Sequence, residues 1–397
     1  MSDSGNNPGM DPELFETFID QLKRYVRERL IPAEADVIAH DRIPEEILDE
    51  MREMGLFGIT TPEEYGGAGM NISQYIETAK QLSYAAPAYR STMSMNLGMT
   101  GSALRKFGTP EQKAKWLPRL AAGEISCFAL TEPGSGSDSA AMATMAKRDG
   151  NGYVLNGTKR YITNAPHARI ALIMARTSKE ALPKNAHVSA FIVDMATPGI
   201  TVGSPDKKMG QAGTHIADVI LEDVRLDGDA LVGGEEGRGF HIAMQSLDNG
   251  RLSVSAMAVG LGRRILDSAV RYATERKAFG EPIANFQLIQ AMLADSDAEL
   301  YAAECMLADA CARADRGENI QRKAAATKLF STEACGRVAD RCVQIFGGAG
   351  YLAEYEAERF FRDARILRIY EGTSQIMQLQ IAKQLLREYG NEGTVWG

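Results

Sequence analysis

One carboxylate near the C-terminal end of the chain stands in a setting suited to proton transfer. In the segment RIYEGTSQI, residues 368–376, Glu371 precedes a helical pattern that Thr373 or Ser374 could cap. Its apolar neighbours would raise its pKa, and Gly372 would let it move, so it could act as a general base. The same placement is typical of an acid that complements a helix dipole. The spacing leaves both roles open.

Three glycine-containing segments could hold a ligand. TEPGSGSD at 131–138 follows an apolar run, and its small hydroxyl residues would expose backbone N–H groups to a phosphate or to the edge of a flavin ring. RKAFG at 276–280 and QIFGGAGY at 344–351 place Arg, Gln and Gly at the ends of helical patterns. Each segment taken alone is also compatible with a plain turn or a helix stop.

Other common chemical motifs are missing from the sequence. It contains no GxxxxGK[ST], HExxH or GxSxG pattern, and no strand-linked GxGxxG. The five histidines and five cysteines are dispersed and form no CxxC pair, so we expect no metal site and no disulfides. P-loop enzymes, zinc proteases, α/β-hydrolases and nicotinamide dinucleotide folds are therefore disfavoured.

The composition and charge of the chain disfavour two further classes, nucleic-acid-binding and membrane-spanning proteins. The 397 residues carry a formal charge of −8 without a long basic run, which disfavours nucleic acid as a partner. No apolar stretch approaches the roughly 18 residues that a membrane span needs, and the N-terminus resembles neither a signal nor a transit peptide. We expect a cytoplasmic protein, without a membrane span, from a bacterium.

The elements that must position these segments follow an α, β, α order. Helical periodicity runs from Glu13, with a predicted stop at Pro32, and continues to about residue 125. Short β-rich runs follow, and long helical patterns return after about residue 239. The predicted divisions are a disordered tail (1–11), an N-terminal α domain (12–125), a middle β domain (126–235) and a C-terminal α-helical bundle (236–397).

The ordered set TEPGSGSD, YITN, ERKAFG, QIFGGAGY and IYEGT resembles the acyl-CoA dehydrogenase family from about residue 12 to about residue 388. The resemblance implies an α+β fold of three blocks: an N-terminal all-α domain, a central β-sandwich or barrel-like domain and a C-terminal four-helix bundle. It also implies bound FAD, an acyl-CoA substrate and electron transfer to electron-transfer flavoprotein. Each FAD would be shared by two chains, so a homodimer or dimer of dimers is implied.

The resemblance also assigns residues to the cofactor. Those expected to contact the flavin half are Phe128, Leu130, Thr131, Gly136, Ser137, Tyr161, Ile162 and Thr163, with Thr373 and Gln375 at the start of the last helix. Those expected to hold the adenosine and pyrophosphate half of a neighbouring subunit's FAD are Arg276, Phe279, Gln287, Gln344, Gly347 and Gly348. Many members carry Trp where Tyr161 stands, and Tyr keeps an aromatic ring there.

Glu371 matches the family's catalytic base, which would remove the α-proton while flavin N5 takes the β-hydride and trans-2-enoyl-CoA forms. Its backbone N–H and a ribityl hydroxyl would hold the thioester oxygen. The substrate-path residues implied by the resemblance are Asp248, Arg251, Gly372, Ser137 and Ser94. Some branched-chain and long-chain members of the family carry the base on an earlier helix, at the position that the resemblance assigns to Asn249, and Asn cannot serve as a base.

Arg90, in the segment AYRSTMSMN, suggests an alternative substrate. It matches the Arg by which glutaryl-CoA dehydrogenases hold a distal carboxylate, and a buried Arg needs a negative partner. An Arg on a solvated helix face, or one paired with a nearby carboxylate, remains open. Ser83, where decarboxylating members carry an acid, counts against glutaryl-CoA. We therefore expect a general acyl-CoA dehydrogenase, with glutaryl-CoA or another dicarboxyl-CoA as the alternative substrate.

Three other functions occur on this fold. Acyl-CoA oxidases are mostly longer chains, and flavin monooxygenases generally lack the glutamate. A flavin-bearing DNA-binding relative would show an added basic region, which the charge of −8 disfavours.

Overall fold

The computed structural model describes residues 7–393, so the first six residues of the predicted disordered tail lie outside it. The rest of that segment is held by hydrogen bonds. The Asn7 amide donates to the carbonyl of Gly69 at 3.0 Å, and Met10 exchanges two hydrogen bonds with the Gln74 side chain at 2.8 and 2.7 Å. Residues 7–11 therefore pack against the N-terminal helices instead of forming a loose tail.

The first part of the chain is helical. Its α-helices are α1 (Pro12–Tyr25), α2 (Ile31–His40), α3 (Glu45–Glu53), α4 (Ile72–Leu82), α5 (Pro87–Ser94), α6 (Thr100–Phe107) and α7 (Pro110–Ala121). Two π-helical turns, Val26–Leu30 and Met95–Met99, join α1 to α2 and α5 to α6 without a break.

The predicted helix stop at Pro32 is wrong. The helix runs on to His40, and Pro32 occupies the first turn of α2 directly after the first π-turn. The Ile31 N–H bonds to the carbonyl of Val26, five residues back. Because the change of hydrogen-bond spacing leaves a position where no N–H is needed, proline is accommodated.

The middle part is a mixed sheet of seven strands among the described residues. The strands are β1 (Ser126–Ala129), β2 (Met145–Asp149), β3 (Gly152–Thr163), β4 (Ile170–Arg176), β5 (Val188–Asp194), β6 (Ile200–Val202) and β7 (Ile216–Leu226). The order is β1-β4-β2-β3-β7-β6, with β5 also paired to β4. The expected sandwich-like or barrel-like domain is thus one continuous hydrogen-bonded sheet around its own core. A register shift interrupts β3 between Lys159 and Ile162.

The last part returns to helices. They are α8 (Gly239–Glu275), α9 (Gln287–Asp315), α10 (Gln321–Phe346), α11 (Glu356–Arg365) and α12 (Ser374–Glu392), with a small hairpin of β8 (Lys277–Ala278) and β9 (Glu281–Pro282) after α8. Helix α10 packs against α8, α9, α11 and α12. The expected α, β, α fold class is confirmed.

Helix α8 is the element that unites the three parts. It packs against α4, α5 and α6 of the first part, β5 of the sheet and α10 of the last part. Every residue from Asp248 to Gly262 is consequently buried. A helix in such a position can place side chains from all three parts around a single site. In the part of the chain described here, none of the helices has the length and apolar character that a membrane crossing requires.

Candidate active site

Glu371 lies in a sharp turn between a short 3-10 helix (Ile366–Arg368) and α12. Its φ is 55° and that of Gly372 is 95°, so two successive residues have left-handed backbone conformations. Thr373 caps α12, and its hydroxyl accepts the N–H of Ile376 at 3.1 Å. A left-handed non-glycine residue is costly and tends to persist where function requires it. The turn directs Glu371 towards α8.

The Glu371 carboxylate is buried against the backbone of α8. Its Oε2 is buried and has no hydrogen-bond partner among the described residues. A Cβ at Gly250 would lie only 2.6 Å from that oxygen, so the missing side chain of Gly250 makes room for the carboxylate. Burial raises the pKa of Glu371, against the lowering effect of the charges on Arg90, Arg251 and Lys328. A poorly solvated carboxylate of this kind is a strong base.

The residue of α8 that lies against Glu371 is Gly250, next to Asn249. Asn249 was expected at the position of the alternative base, but its side-chain amide donates to the Ser102 hydroxyl at 3.2 Å. Gly250 is the residue that contacts Glu371. Its signal in the sequence is a glycine in the interior of a long helix, where glycine is unfavourable unless another group must approach closely.

Lys328 of α10 is hydrogen-bonded to the turn that contains Glu371. Its side chain is buried, and Nζ donates to the carbonyl of Gly372 at 2.7 Å. Burial lowers the pKa of Lys328 to about 8, while the charge of Glu371 opposes that shift. This contact could not be predicted from the sequence, because a lysine on a helix is usually solvated.

If Glu371 is the base, the Lys328→Met variant is expected to slow the proton transfer roughly tenfold to a hundredfold, since the turn that carries Glu371 loses its anchor. Loss of the cation should also raise the pKa of Glu371 further. A base acts in its deprotonated form, so with Glu371 as the base the acid limb of the pH–rate profile should move to higher pH. Lys323→Met, on the same helix, is the control. An unchanged rate and acid limb in Lys328→Met would show that Lys328 only fills space.

Arg90 is buried near Glu371, and no carboxylate within residues 7–393 forms an ion pair with it. It is 4% exposed, its Nη2 donates to the Ser253 hydroxyl, and its Nε has no partner among the described residues. The solvated-face alternative for Arg90 is therefore wrong. Ser94 is buried too, but its hydroxyl donates to the carbonyl of Ser91 at 2.9 Å. Ser83 likewise donates to its own helix, at the carbonyl of Ala79.

Asp248 and Arg251 form a buried ion pair one turn apart on α8, with Arg251 Nη1 2.7 Å from Asp248 Oδ1. Burial raises the pKa of Asp248, and the charges of Arg251 and Lys106 oppose the shift. Arg251 Nε has no partner among the described residues. The charge of Arg251 also acts on Glu371, so the arginine of the pair lies close to that carboxylate.

The residues expected at the flavin line the end of β1 and the end of β3. The N–H of Arg160 donates to the carbonyl of Thr131 at 2.8 Å, which brings the two strand ends together. Tyr161 has φ 58° and is 55% exposed, because the irregularity in β3 turns its ring outwards. The predicted set at these strand ends and in the loop after β1 also comprises Phe128, Leu130, Gly136, Ser137, Ile162 and Thr163. Gly136 and Ser137 are exposed, whereas Leu130 and Ile162 are buried in two different hydrophobic clusters.

A buried ion pair that the sequence did not reveal anchors the TEPGSGSD loop. Lys159 Nζ lies 2.7 Å from Glu132 Oε1, and both side chains are almost fully buried. The same carboxylate accepts the backbone N–H groups of Ala143 and Thr144. The pair therefore joins the loop after β1 to β3 and to the segment before β2.

Lys159→Met is expected to lower the free energy of unfolding by about 3–5 kcal/mol, because Glu132 would remain buried without its cation. Thermal denaturation measures the loss. Lys147→Met, an exposed lysine on β2, should leave the midpoint unchanged. The double variant Glu132→Gln/Lys159→Met should recover part of the loss. A midpoint unaltered by Lys159→Met would be incompatible with an anchoring role for the pair.

The residues expected to hold the other half of a dinucleotide lie on the C-terminal part. Tyr272 of α8 stacks on Phe346 of α10 with ring centroids 4.0 Å apart, which brings the β8–β9 hairpin beside the glycine turn after α10. Phe279, at the tip of the hairpin, is 97% exposed with φ 54°. The other members of this set are also exposed: Arg276, Gln287, Gln344, Gly347 and Gly348. At the start of α12, Thr373 is half-buried and Gln375 is exposed.

Three family models match successive parts of the chain. The acyl-CoA dehydrogenase N-terminal domain matches residues 12–124, the middle domain matches residues 127–224 and the C-terminal domain matches residues 237–386. The matches cover the helical first part, the sheet and the helical last part in the order found here.

Individual proteins are similar over nearly the whole chain. The short-chain specific mitochondrial acyl-CoA dehydrogenase of Homo sapiens is 40% identical over 379 residues, which are 95% of this chain and 91% of that protein. The structure of butyryl-CoA dehydrogenase from Megasphaera elsdenii matches with a TM-score of 0.90 and 33% identity, covering 95% of this chain and 99% of that one. The structure of a glutaryl-coenzyme A dehydrogenase in complex with glutaryl-CoA matches with a TM-score of 0.90 and 30% identity. The match covers 95% of this chain and 96% of that one.

Proposed function

The chain belongs to the acyl-CoA dehydrogenase family, and we propose that it converts an acyl-CoA thioester to trans-2-enoyl-CoA with Glu371 as the base. Family members are FAD-dependent oxidoreductases that act on CH–CH groups. The observation that carries the proposal is the Glu371 Oε2, which is buried without a hydrogen-bond partner among the described residues and lies against Gly250. An unpartnered carboxylate beside the expected substrate path is placed to accept a proton.

Glu371 supplies both a base and a hydrogen-bond donor. The α C–H of a thioester is weakly acidic, so proton removal needs a carboxylate of raised pKa and a donor for the charge that develops on the thioester oxygen. Burial raises the pKa of the Glu371 carboxyl group, which meets the first requirement. For the second, the backbone N–H of Glu371 donates no hydrogen bond within residues 7–393 and is available to the thioester oxygen. Lys328 fixes the turn that carries both groups.

The residues on the two predicted cofactor faces fit FAD. Around the flavin face, no atom lies within 4 Å of where a Cβ at Gly136 would stand, so a ring edge can approach the backbone there. On the C-terminal face, Gly347 and Gly348 are equally open and exposed Arg276 suits a pyrophosphate. A bound FAD supplies the acceptor for the β-hydride. Thr131, Tyr161 and Thr163 would orient the ring against the substrate.

A second copy of the chain fits the exposed C-terminal face. Phe279, Leu288 and Tyr351 are 97, 81 and 84% exposed, and they lie beside the residues that would hold the adenosine half of FAD. Large apolar side chains so exposed commonly mark an association surface. We infer a homo-oligomer in which each cofactor contacts two chains. We also propose that electrons pass from the flavin to electron-transfer flavoprotein and that the protein is cytoplasmic.

The function is tested by mixing the purified, FAD-loaded protein anaerobically with butyryl-, octanoyl-, isovaleryl- and glutaryl-CoA and following the flavin absorbance. We expect at least one acyl-CoA to bleach the flavin with formation of its trans-2-enoyl product. Failure of a broad acyl-CoA series to bleach a fully loaded protein would overturn the proposal.

A dicarboxyl-CoA is the second candidate substrate, and Arg90 favours it. Its guanidinium is buried beside Glu371 with an unpartnered Nε, which a distal carboxylate could satisfy. The absence of an acid at Ser83, whose hydroxyl bonds to Ala79, disfavours a decarboxylating reaction. In the acyl-CoA panel above, bleaching by a monoacyl-CoA but not by glutaryl-CoA would count against Arg90 as a glutarate ligand.

A further inference from the structure

The two sides of the turn that carries Glu371 are bound to one carboxylate. Arg368 ends the short 3-10 helix before the turn, and Ser374 is the first residue of α12 after it. The Ser374 hydroxyl donates to Oε1 of Glu333 at 2.6 Å, and Nη1 of Arg368 donates to Oε2 of the same side chain at 3.1 Å. Glu333, which belongs to α10, therefore spans the turn from one side to the other. We call Glu333, Arg368 and Ser374 the turn clamp.

No main-chain hydrogen bond within residues 7–393 joins the two sides of this turn. Before the turn, the N–H groups of Ile369 and Tyr370 both donate to the carbonyl of Ile366. After it, the N–H of Met377 donates to the carbonyl of Thr373. Each side is thus closed upon itself, and the link between the two sides is made by the side chains of the turn clamp.

The backbone of the turn needs such a link to keep its shape. Glu371 and Gly372 are both left-handed, and a non-glycine residue keeps this conformation only where its surroundings impose it. Glycine at 372 also gives the backbone a freedom that other residues lack. Lys328 holds the middle of the turn through the carbonyl of Gly372. If its two ends were released, the turn would relax and the Glu371 carboxylate would leave its place against Gly250.

The turn clamp is charged at neutral pH. Burial would raise the pKa of Glu333, but the hydrogen bonds from Ser374 and Arg368 and the charges of nearby arginines hold that pKa below its ordinary value. The side chains of Arg368 and Glu333 are 32% and 30% exposed, and ion pairs so accessible to water add little to the stability of the fold. Removal of the clamp should therefore change the geometry of the turn more than the folding of the chain.

We propose that Glu333 is a positioning residue for the base, because it holds both ends of the turn that carries Glu371. The inference rests on the proposed function and adds a further residue to it. Glu333 acts through Arg368 and Ser374 and is not itself a catalytic residue. Loss of the clamp should slow proton removal from a substrate that is already bound, while the binding of the acyl-CoA should stay the same.

The test measures single-turnover flavin reduction over a range of concentrations of the acyl-CoA that bleaches wild type fastest in the panel above. Glu333→Ala should lower the limiting rate roughly tenfold to a hundredfold without changing the half-saturating concentration, because a catalytic group displaced by about 1 Å can lose a hundredfold in rate. Arg368→Met and Ser374→Ala each remove one side of the clamp and should have smaller effects. Asp340→Ala, which removes an exposed acid of the same helix, is the control and should keep the wild-type rate.

A triple variant separates the clamp from any other role of Glu333. If Glu333 acts only through Arg368 and Ser374, adding Glu333→Ala to the double variant Arg368→Met/Ser374→Ala should cost no further rate. FAD content and the thermal midpoint establish that each variant is folded. Should Glu333→Ala lose its FAD, Glu333→Gln replaces it. The glutamine oxygen can still accept from Ser374 but gives up the ion pair, so the rate should resemble that of Arg368→Met.

Two results would overturn the inference and leave the dehydrogenase function intact. The first is a wild-type limiting rate in folded Glu333→Ala or Glu333→Gln, including the case in which only the thermal midpoint or the acyl-CoA affinity changes. The second is a further loss of rate in the triple variant, since Glu333 would then act by another route. A fully loaded wild type that no acyl-CoA bleaches would instead remove the proposed function, and this inference with it.

Discussion

Glu371→Gln is expected to reduce anaerobic flavin reduction by an acyl-CoA by roughly a hundredfold to ten-thousandfold. Glutamine keeps the size and shape of the side chain but cannot take up the α-proton. The carboxylate it replaces is buried with an unpartnered oxygen, so a neutral amide should be no harder to bury. Stopped-flow absorbance gives the rate, and the FAD content and thermal midpoint should stay close to those of wild type.

The matched control for Glu371→Gln is Glu354→Gln, an exposed acid in the loop between α10 and α11. It changes the net charge equally and should leave the rate unaltered. If Glu371→Gln reduces its flavin at the rate of wild type, another group is the base, and the assignment of Glu371 is wrong.

Gly250→Ala is expected to combine higher helix stability with a loss of activity of roughly a hundredfold. Alanine favours a helix interior over glycine by up to about 1 kcal/mol. Its Cβ, however, would stand 2.6 Å from Glu371 Oε2, closer than any nonbonded contact. The carboxylate must move, and displacement of a catalytic group by about 1 Å can cost a hundredfold in rate.

Gly336→Ala is the control for this substitution. Gly336 also lies in a helix interior, in α10, but the nearest atom to its added Cβ would be 3.5 Å away, an ordinary contact. It should share any gain in stability and keep full activity. Retention of wild-type flavin reduction by Gly250→Ala would mean that the Glu371 carboxylate does not need its place against α8.

The overall fold could be predicted because its signals are local and repeated. Helical periodicity predicted that long helices return after about residue 239, and α8, α9, α10 and α12 all lie beyond that point. Pro32 misled the prediction, because a π-turn changes the hydrogen-bond spacing and no residue pattern announces it. Helix α11, which is short and strongly charged, was not predicted.

Only those residues of the candidate site that lie in a distinctive sequence motif could be proposed from the sequence. Glu371 stands in a distinctive segment, whereas Gly250 and Lys328 belong to helices whose sequences look ordinary. Their roles arise from packing between helices that lie far apart in the chain. The ion pair of Glu132 with Lys159 has the same origin, since neither residue suggests burial by itself. Glycine contacts such as that of Gly250 become visible only when the opposing side chain is placed.

The most direct test of the central claim is the rate of anaerobic flavin reduction with an acyl-CoA deuterated at Cα, measured against the unlabelled compound in a single turnover. If Glu371 removes the α-proton as the β-hydride leaves, deuterium at Cα must slow the bleaching of wild type by a primary isotope effect. Equal bleaching rates for the two compounds, under conditions where deuterium at Cβ does slow the reaction, would contradict removal of the α-proton in that step.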